Sequence, residues 1–259
     1  MPTKIELHCG DCLDILPQLK AKSVDVCCCS PPYNIGTKYS KYQDKLTEAE
    51  YLDFIYRVAA AIYRILKPNG SFFLNVAGTP TRPHLPFRIA GLLAGNLFKL
   101  QNPIHWIKSI SIGNRTYGHF KPINSRRVLH SGHEYIFHFT KTGEVELNRL
   151  AIGVPYTDKT NISRRNHRQD RRCRGNVWFI PYNTVQHKAD KFNHPASFPV
   201  KLPRMCIRLH GVRRAVVLDP FCGTGATLLA ARREKCRRAI GIDIDKSYVK
   251  ITQRRCRGK

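Results

Sequence analysis

The stretch that decides the fold is VVLDPFCGTG, residues 216–225. Its first three residues are apolar and the fourth is an acid, a pattern that predicts a short buried β-strand. The glycines at 223 and 225 then predict a tight turn, and ATLLAARREK, residues 226–235, predicts a helix. A strand, a glycine turn and a helix in this order indicate one unit of a parallel α/β sheet.

The turn in this stretch also predicts a ligand site. Glycines let a ligand approach the backbone closely at the carboxyl edge of a sheet. The G-x-G pattern lacks the third glycine of the dinucleotide fingerprint and follows Asp219-Pro220, so it favours a ligand with an amine and a ribose over a phosphate. Asp219 would engage a cationic ligand or order the turn, and Asp243, at the end of the next strand, would hold ribose hydroxyls. A structural turn explains the glycines equally well when they are taken alone.

Outward from this unit, the chain alternates strands and helices. Apolar β-rich runs predict strands at 4–9, 24–29 and 71–78. Thr47 and Glu50 form a capping box at the start of a helix that Lys67-Pro68-Asn69-Gly70 ends. Weaker helical periodicity covers 86–98, and two further strands are joined by a basic loop. The alternation predicts an α/β fold with a mostly parallel sheet and helices on both faces.

The strand at 24–29 runs directly into Ser30-Pro31-Pro32-Tyr33. The two prolines fix backbone angles, so this turn presents a hydroxyl, a carbonyl and an aromatic ring in set directions. A proline turn that merely ends a strand is the simpler explanation of these four residues in isolation.

Several motifs in order resemble the β group of the amino-methylating DNA methyltransferases, whose motif order is circularly permuted. They are GDCLDIL at 10–16, SPPY at 30–33, HPASFP at 194–199, DPFCGTG at 219–225 and GIDID at 241–245. The resemblance covers nearly the whole chain except about 141–193.

This resemblance implies a Rossmann-like, S-adenosylmethionine-dependent methyltransferase fold with an antiparallel hairpin strand. It implies that S-adenosylmethionine binds to Asp11, Cys12, His194, Pro195, Ser197, Phe198, Asp219, Pro220, Phe221, Gly223, Gly225, Asp243 and Ile244. It divides the chain into a catalytic half at 1–140, a target-recognition insert at 141–193 and a cofactor-binding half at 194–259.

The resemblance also assigns chemistry to Ser30, Pro31, Pro32 and Tyr33. The exocyclic amine of a base is a poor nucleophile, because its lone pair is delocalised into the ring. The Ser30 hydroxyl and the Pro31 carbonyl would accept the amine protons, while Tyr33 would stack on a base extruded from the duplex. Methyl transfer would be direct, so Cys27, Cys28 and Cys29 are not nucleophile candidates.

The target base follows from the first residue of SPPY. Serine there resembles the cytosine-N4 enzymes, whereas most adenine-N6 enzymes carry Asp, and some serine-bearing members methylate adenine. Cytosine N4 is therefore the expectation and adenine N6 the alternative. A non-catalytic DNA-binding relative and an enzyme acting on RNA or on protein glutamine are further alternatives.

The charge of the chain predicts a polyanionic partner. Lys and Arg number 44 against 18 Asp and Glu, a net charge of +26, which suits duplex DNA or RNA through phosphate neutralisation. Enhanced solubility and an anionic membrane surface are the alternatives. The expected DNA contacts are basic residues of the loop after SPPY and of the run RRNHRQDRRCR: Lys38, Lys41, Arg164, Arg165, Arg168, Arg171, Arg172 and Arg174. A solvated loop is the other interpretation of that run.

The ten cysteines complete the sequence-level expectations. Cys9 and Cys12 have C-x-x-C spacing, yet no second pair exists to complete a zinc site, so no metal is expected. Reduced thiols and the lack of a signal pattern or long apolar run predict an intracellular protein beside genomic DNA, in the nucleoid or cytoplasm of a bacterium or the nucleus of a eukaryote. A monomer and a homodimer are both compatible with the sequence.

Overall fold

The computed structural model describes residues 1–37, 41–42, 44–118, 125–164, 169–181 and 198–258. Its strands are β1 (Lys4–Cys9), β2 (Val24–Cys29), β3 (Leu66–Val76), β4 (Lys99–Ile107), β5 (Ser109–Ile112), β6 (Arg115–Gly118), β7 (His133–Thr140), β8 (Val177–Phe179), β9 (Val216–Asp219) and β10 (Arg238–Asp243). Its α-helices are α1 (Cys12–Ile15), α2 (Glu48–Ile65), α3 (Leu85–Asn96), α4 (Thr160–Arg164), α5 (Lys201–His210), α6 (Ala226–Arg233) and α7 (Lys246–Arg257).

One sheet organises the described part of the chain, with strand order β1-β10-β9-β2-β3-β7-β4-β8. Strand β7 is antiparallel to both of its neighbours, β3 and β4, and the other pairings in this sheet are parallel. Strands β5 and β6 form a separate two-stranded hairpin. The predicted α/β fold, mostly parallel with an antiparallel strand, is therefore confirmed.

Apolar side chains from both faces of the sheet form two cores. One core lies under α2 and α3, and the other lies under α5 and α6. Helix α2 begins with the predicted capping box: the Thr47 hydroxyl accepts a hydrogen bond from the Glu50 amide, and the Glu50 carboxylate accepts one from the Thr47 amide. Its buried stripe includes Tyr51, Ile55, Val58 and Ile62, so the helical spacing in the sequence corresponds to burial.

The predicted element boundaries hold within a few residues. Helix α2 ends at Ile65, directly before the predicted stop signal. Strand β3 begins at Leu66 rather than at 71, because Leu66 already pairs with Val24 before the register shifts. No described helix has the length and apolarity that a membrane span requires.

The segment predicted as a target-recognition insert contributes to the main sheet in its described part. Strand β8 pairs in parallel with β4 through Trp106 and Trp178. Trp178 is 1% exposed and belongs to the core under α5 and α6, so its indole packs inside the protein. The limits 141–193 themselves stay a prediction.

Candidate functional site

A single cleft lies at the carboxyl edge of β1, β2, β9 and β10. It brings together the two motifs that the sequence singled out, the proline turn and the glycine turn. The predicted site residues among its walls are Asp11, Cys12, Ser30, Pro31, Pro32, Tyr33, Lys41, Phe198, Asp219, Pro220, Phe221, Gly223, Asp243 and Ile244. Residues from opposite ends of the sequence therefore share one site, because parallel strands end at the same edge.

The glycine turn is held by the acid at the end of β10. The Gly223 amide donates to Asp243 Oδ2 at 2.8 Å, and the Asp245 amide donates to Asp243 Oδ1, also at 2.8 Å. A carboxylate has about four lone-pair positions, so Asp243 retains acceptor capacity for a ligand. Burial raises the pKa of Asp243. Its side chain thus orders the turn and still faces the cleft.

Asp219 is the most deeply buried acid of the cleft, at 1% exposed. One of its oxygens accepts from the Phe221 amide at 3.0 Å, and no cation of the described chain forms an ion pair with it. Burial raises its pKa from 3.8 to about 7. A buried carboxylate that lacks a cation suits a positively charged ligand.

Aromatic rings form one wall of the same cleft. Phe54 lies 6.0 Å from Phe221 and 6.3 Å from Tyr42, measured between ring centroids, and all three line the cleft with Phe198 and Tyr248. Aromatic walls bind the flat face of a heterocycle. Buried acids beside aromatic rings fit S-adenosylmethionine, which carries a sulfonium, an ammonium, a ribose and an adenine.

The proline turn belongs to a hydrogen-bonded network. Ser30 Oγ donates to the Tyr33 hydroxyl at 2.9 Å, and the Tyr33 hydroxyl donates to Glu134 Oε2 at 2.8 Å. The Tyr51 hydroxyl donates to the Pro32 carbonyl at 2.7 Å and fixes the turn from behind. Burial, followed by the neighbouring Glu134 charge, raises the pKa of Tyr33 well above its ordinary value, so Tyr33 keeps its proton.

Asn75, at the end of β3, closes this network. Its amide nitrogen lies 2.6 Å from the Tyr33 hydroxyl, 2.7 Å from Glu134 Oε2 and 3.5 Å from Ser30 Oγ. Lys108 Nζ donates to the other carboxylate oxygen of Glu134 at 3.0 Å. Because the nitrogen of Asn75 must face the Glu134 carboxylate, its Oδ1 faces elsewhere, and this buried oxygen has no donor among the described residues.

The loop after SPPY is fixed by Asp44. Its carboxylate accepts hydrogen bonds from the amides of Asn34, Ile35 and Thr37, at 2.8 to 3.0 Å. Asn34 has a φ of 56°, which this residue type tolerates better than most, and its side chain exchanges two hydrogen bonds with Leu46. This acid, for which the sequence offered no role, therefore shapes the rim of the cleft.

A family profile described as "DNA methylase", for N6 and N4 methyltransferases, matches residues 24–254 of this chain. The chain belongs to this DNA methylase family. It is 30% identical to the DNA adenine methyltransferase YhdJ of Escherichia coli K12, over 95% of this chain and 80% of that protein. It is 28% identical to the type II methyltransferase M.HpaI of Haemophilus parainfluenzae, over 96% and 73%.

Two solved structures of similar fold extend the comparison of this DNA methylase. The PvuII DNA methyltransferase, which is cytosine-N4-specific, matches with a TM-score of 0.74 at 21% identity, over 98% of this chain and 86% of that one. The protein TTHA0409 of Thermus thermophilus, in complex with S-adenosyl-L-methionine, matches with a TM-score of 0.61 at 26% identity, over 97% and 92%.

Some predicted site residues of this DNA methylase lie away from the cleft or outside the described residues. Gly225 does not line the cleft. It directly precedes α6 with a φ of 85°, and a Cβ at this position would lie 2.6 Å from the Thr252 side chain. Arg171 and Arg174 donate to backbone carbonyls of Leu150 and Ile152, so they brace their own loop. Arg172 is exposed, and its backbone amide and carbonyl form two hydrogen bonds with the backbone of Val154. Lys38, Arg165, Arg168, His194, Pro195, Ser197 and the side chain of Arg164 lie outside the described residues.

The sequence missed one acid of the cleft, Glu134. It stands in HEYIFHFT, where a buried acid among apolar and aromatic residues was the available signal.

The two free cysteines of the C-x-x-C pair differ in burial. Cys9 is exposed, whereas Cys12 is buried, and this burial raises the pKa of Cys12 to about 12. Within the described residues no three His, Cys, Asp or Glu side chains gather as metal ligands do.

Proposed function

We propose that this protein is an S-adenosylmethionine-dependent DNA methyltransferase of the permuted β group that methylates the N4 amine of cytosine in duplex DNA. The observation that carries the proposal is the direction of the hydrogen bond from Ser30 Oγ to the Tyr33 hydroxyl, 2.9 Å, inside the cleft. Because the Ser30 proton points to Tyr33, the lone pairs of Ser30 Oγ remain for a substrate donor.

Those lone pairs match the chemistry of an amine on a base. The amine carries two protons, and two acceptors aimed at them return electron density to the nitrogen and orient its lone pair. We assign Ser30 Oγ as one acceptor and the Pro31 carbonyl as the other, because Ser30 and Pro31 both line the cleft. Asn75 Oδ1 offers a third buried acceptor beside them. The site can therefore hold an extruded base by its amine.

The network also provides a route for the proton that the amine loses. Transfer would break the bond between the methyl carbon and the sulfonium sulfur, which would leave as a neutral thioether, and form the bond between that carbon and the base nitrogen. One amine proton would then pass to Ser30 Oγ, the Ser30 proton to Tyr33, and the Tyr33 proton to Glu134 Oε2. Glu134 ends the reaction as a neutral carboxylic acid, and no thiol or covalent base adduct takes part. The contacts of 2.9 and 2.8 Å are within hydrogen-bond reach for such transfers.

S-adenosylmethionine supplies an electrophilic methyl group attached to a sulfonium. In our proposal Asp219 faces its positive charge, Asp243 accepts from its ribose hydroxyls, and Phe221 and Phe198 pack on it. His194, Pro195 and Ser197 would complete this site, together with Asp11, Cys12, Pro220, Gly223 and Ile244. Gly225 would act through the turn that it allows.

Cytosine N4 is proposed because the first residue of the proline turn is the neutral Ser30. Adenine N6 is the second candidate, and the specific observation in its favour is the 30% identity with a DNA adenine methyltransferase. Both bases carry an exocyclic amine with two protons, so the acceptors described above serve either one.

DNA would reach the cleft across its basic rim. Lys41 lines the cleft, and we place Lys38, Arg164, Arg165, Arg168, Arg171, Arg172 and Arg174 among the phosphate contacts. Arg171 and Arg174 each use one guanidinium nitrogen for their own loop, and a guanidinium has further donors for a phosphate. Such a protein works where genomic DNA is held, as a monomer or a homodimer. The restricted length of the recognition segment favours a short target sequence.

The test is methylation of duplex DNA with labelled S-adenosylmethionine, followed by digestion and mass spectrometry of the nucleosides. N4-methylcytosine supports the proposal in full, and N6-methyladenine moves it to the second candidate. The proposal would be refuted if DNA of mixed sequence yielded no methylated nucleoside while RNA or protein was methylated.

The Ser30→Ala variant tests the role of the hydroxyl. We expect its single-turnover methylation rate to fall by about 100-fold, the order seen when one polar group of a catalytic site is removed. The matched control is Ser23→Ala, since the Ser23 hydroxyl donates to the Lys20 carbonyl at the opposite edge of the sheet. A full rate in Ser30→Ala would exclude the proposed acceptor.

A further inference from the structure

The edge of the sheet opposite the cleft is strongly basic. Here β1, β9, β10 and β2 begin, and seven exposed cations lie in the turns before them or at their first residue. This set, the amino-edge cluster, consists of Lys4, Lys20, Lys22, Arg213, Arg214, Lys235 and Arg237. None of these residues belongs to the cleft described above.

Backbone hydrogen bonds place these residues side by side. The Lys4 amide donates to the Arg237 carbonyl at 3.1 Å, and the Arg237 amide donates to the Ala215 carbonyl at 2.9 Å, next to Arg214. Neighbouring strands of a sheet are about 4.8 Å apart. The cluster therefore forms a row of positive charges along the sheet edge, and the spacing is set by the fold.

The carboxylates near this row already have other cations. Glu6 pairs with Arg238 at 2.6 Å, Asp25 with Lys67 at 2.6 Å, and Glu234 with Arg204 at 2.7 Å. Among the described residues, no carboxylate lies within ion-pair distance of a member of the cluster. The row consequently repels itself until an anion neutralises it.

The backbone at this edge is strained at basic residues. Within the described chain, four residues other than glycine have a positive φ, and three of them are Lys22, Arg214 and Lys235, with φ of 52° to 54°. Glycine or asparagine adopts this conformation at lower cost. Lysine and arginine at three strained turns of one edge indicate that the cationic side chains serve a purpose there.

The row and the cleft lie at opposite ends of the same strands. Strands β1 and β10 have six residues each, so at about 3.3 Å per residue the two edges are about 20 Å apart. The cleft opens at one end of these strands and the row faces solvent at the other. A duplex that presents its extruded base to the cleft is not the polyanion that contacts the row.

We propose that the amino-edge cluster binds the phosphate backbone of a second segment of duplex DNA, separate from the segment being methylated. Regularly spaced cations on a sheet edge fit the dense, regular charge of duplex phosphates without reading sequence. The second contact keeps the protein on DNA while the cleft releases one site and reaches another.

The test uses the full chain with Lys22→Gly, Arg214→Gly and Lys235→Gly combined. Glycine relieves the strained φ values, so this variant keeps its fold and its melting temperature does not fall. We expect the slope of log Kobs for mixed-sequence duplex against log salt to become shallower by about 2 to 3, since about 0.9 is lost per phosphate contact. A matched control, Lys250→Gln, Arg254→Gln and Arg257→Gln, removes three exposed charges from α7 and leaves most of the slope in place.

A capture experiment separates the second contact from the cleft. Protein held on an immobilised duplex of about 20 base pairs captures a labelled second duplex, and the triple glycine variant captures at least tenfold less. The Ser30→Ala protein captures as the wild type does, which keeps this result independent of methylation activity. Equal capture by the glycine variant and the α7 control would overturn the proposal. Stronger binding of the amino-edge cluster to RNA or to phosphatidylserine vesicles than to duplex DNA would overturn it as well.

Discussion

The two edges of the central sheet differ in charge, burial and construction, although strands β1, β2, β9 and β10 contribute to both. At the carboxyl edge, the acids Asp219, Asp243 and Glu134 are buried or partly buried and are held by short hydrogen bonds. At the amino edge, seven cations are exposed and have no carboxylate partner among the described residues. The comparison teaches that a net charge of +26 is a sum over segregated regions, and that acids line the cleft in spite of this excess.

The strongest test of the carboxyl edge is Glu134→Gln. The amide conserves size but cannot accept the Tyr33 proton as a carboxylate does, and its NH2 group would face a donor, either Asn75 Nδ2 or Lys108 Nζ. We expect the single-turnover methylation rate to fall by about 100-fold, with cofactor binding unchanged.

The control for that change is Glu146→Gln, an exposed acid after β7 that lies outside the cleft. It should retain the wild-type rate. If Glu134→Gln were equally active, the proton route through Tyr33 would be wrong, and the contrast between the two edges would lose its chemical meaning.

A tenfold effect is expected from pH at Asp219. Its raised pKa of about 7 means that the carboxylate is mostly protonated at pH 6 and mostly ionised at pH 8. A cationic cofactor binds the ionised form, so affinity rises with pH, by about tenfold between these two values. Calorimetric titration of S-adenosylmethionine measures it directly.

Asp219→Asn provides the comparison for that titration. Asparagine cannot ionise, so the affinity should be weak and nearly independent of pH from 6 to 8. A wild-type affinity that stays constant over the same interval would mean that Asp219 does not face the positive charge.

The smallest expected effect concerns the amino edge alone. Lys22→Gly should stabilise the protein by about 0.5 to 1 kcal/mol, because glycine relieves the left-handed backbone at this position. Lys20→Gly removes the same charge from the same loop, where φ is not positive, and should stabilise less or destabilise. Thermal denaturation of both variants decides; equal shifts would show that charge relief, not backbone strain, dominates at this edge.

The sequence predicts the parts of this molecule that depend on local pattern. The capping box at Thr47, the glycine turn at 223 and the proline turn at 30 can each be predicted from a few consecutive residues, because those residues determine the local backbone geometry. Parallel α/β topology then brings the last two together, because strands that alternate with helices end at one edge. The cleft was thus foreseeable from two short motifs.

What the sequence could not supply depends on partners distant in the chain. Glu134 meets Tyr33 across 101 positions and Asn75 across 59, and no spacing rule links an acid in β7 to a turn after β2. The amino-edge cluster is equally invisible, since Lys4, Lys22, Arg214 and Arg237 become neighbours only when the strands pair. A lysine at positive φ looks like any other lysine in the sequence.

The strand order has a consequence for biosynthesis. Strand β1 pairs with β10, so Lys4 lies beside Arg238, and β1 therefore waits until β10 has been synthesised before it gains this neighbour. During that interval Ile5 and Leu7, which later pack on the core, remain uncovered. The nascent chain thus completes this part of the sheet only after β10 has been synthesised, and chaperone dependence should concentrate on the segment that contains β1.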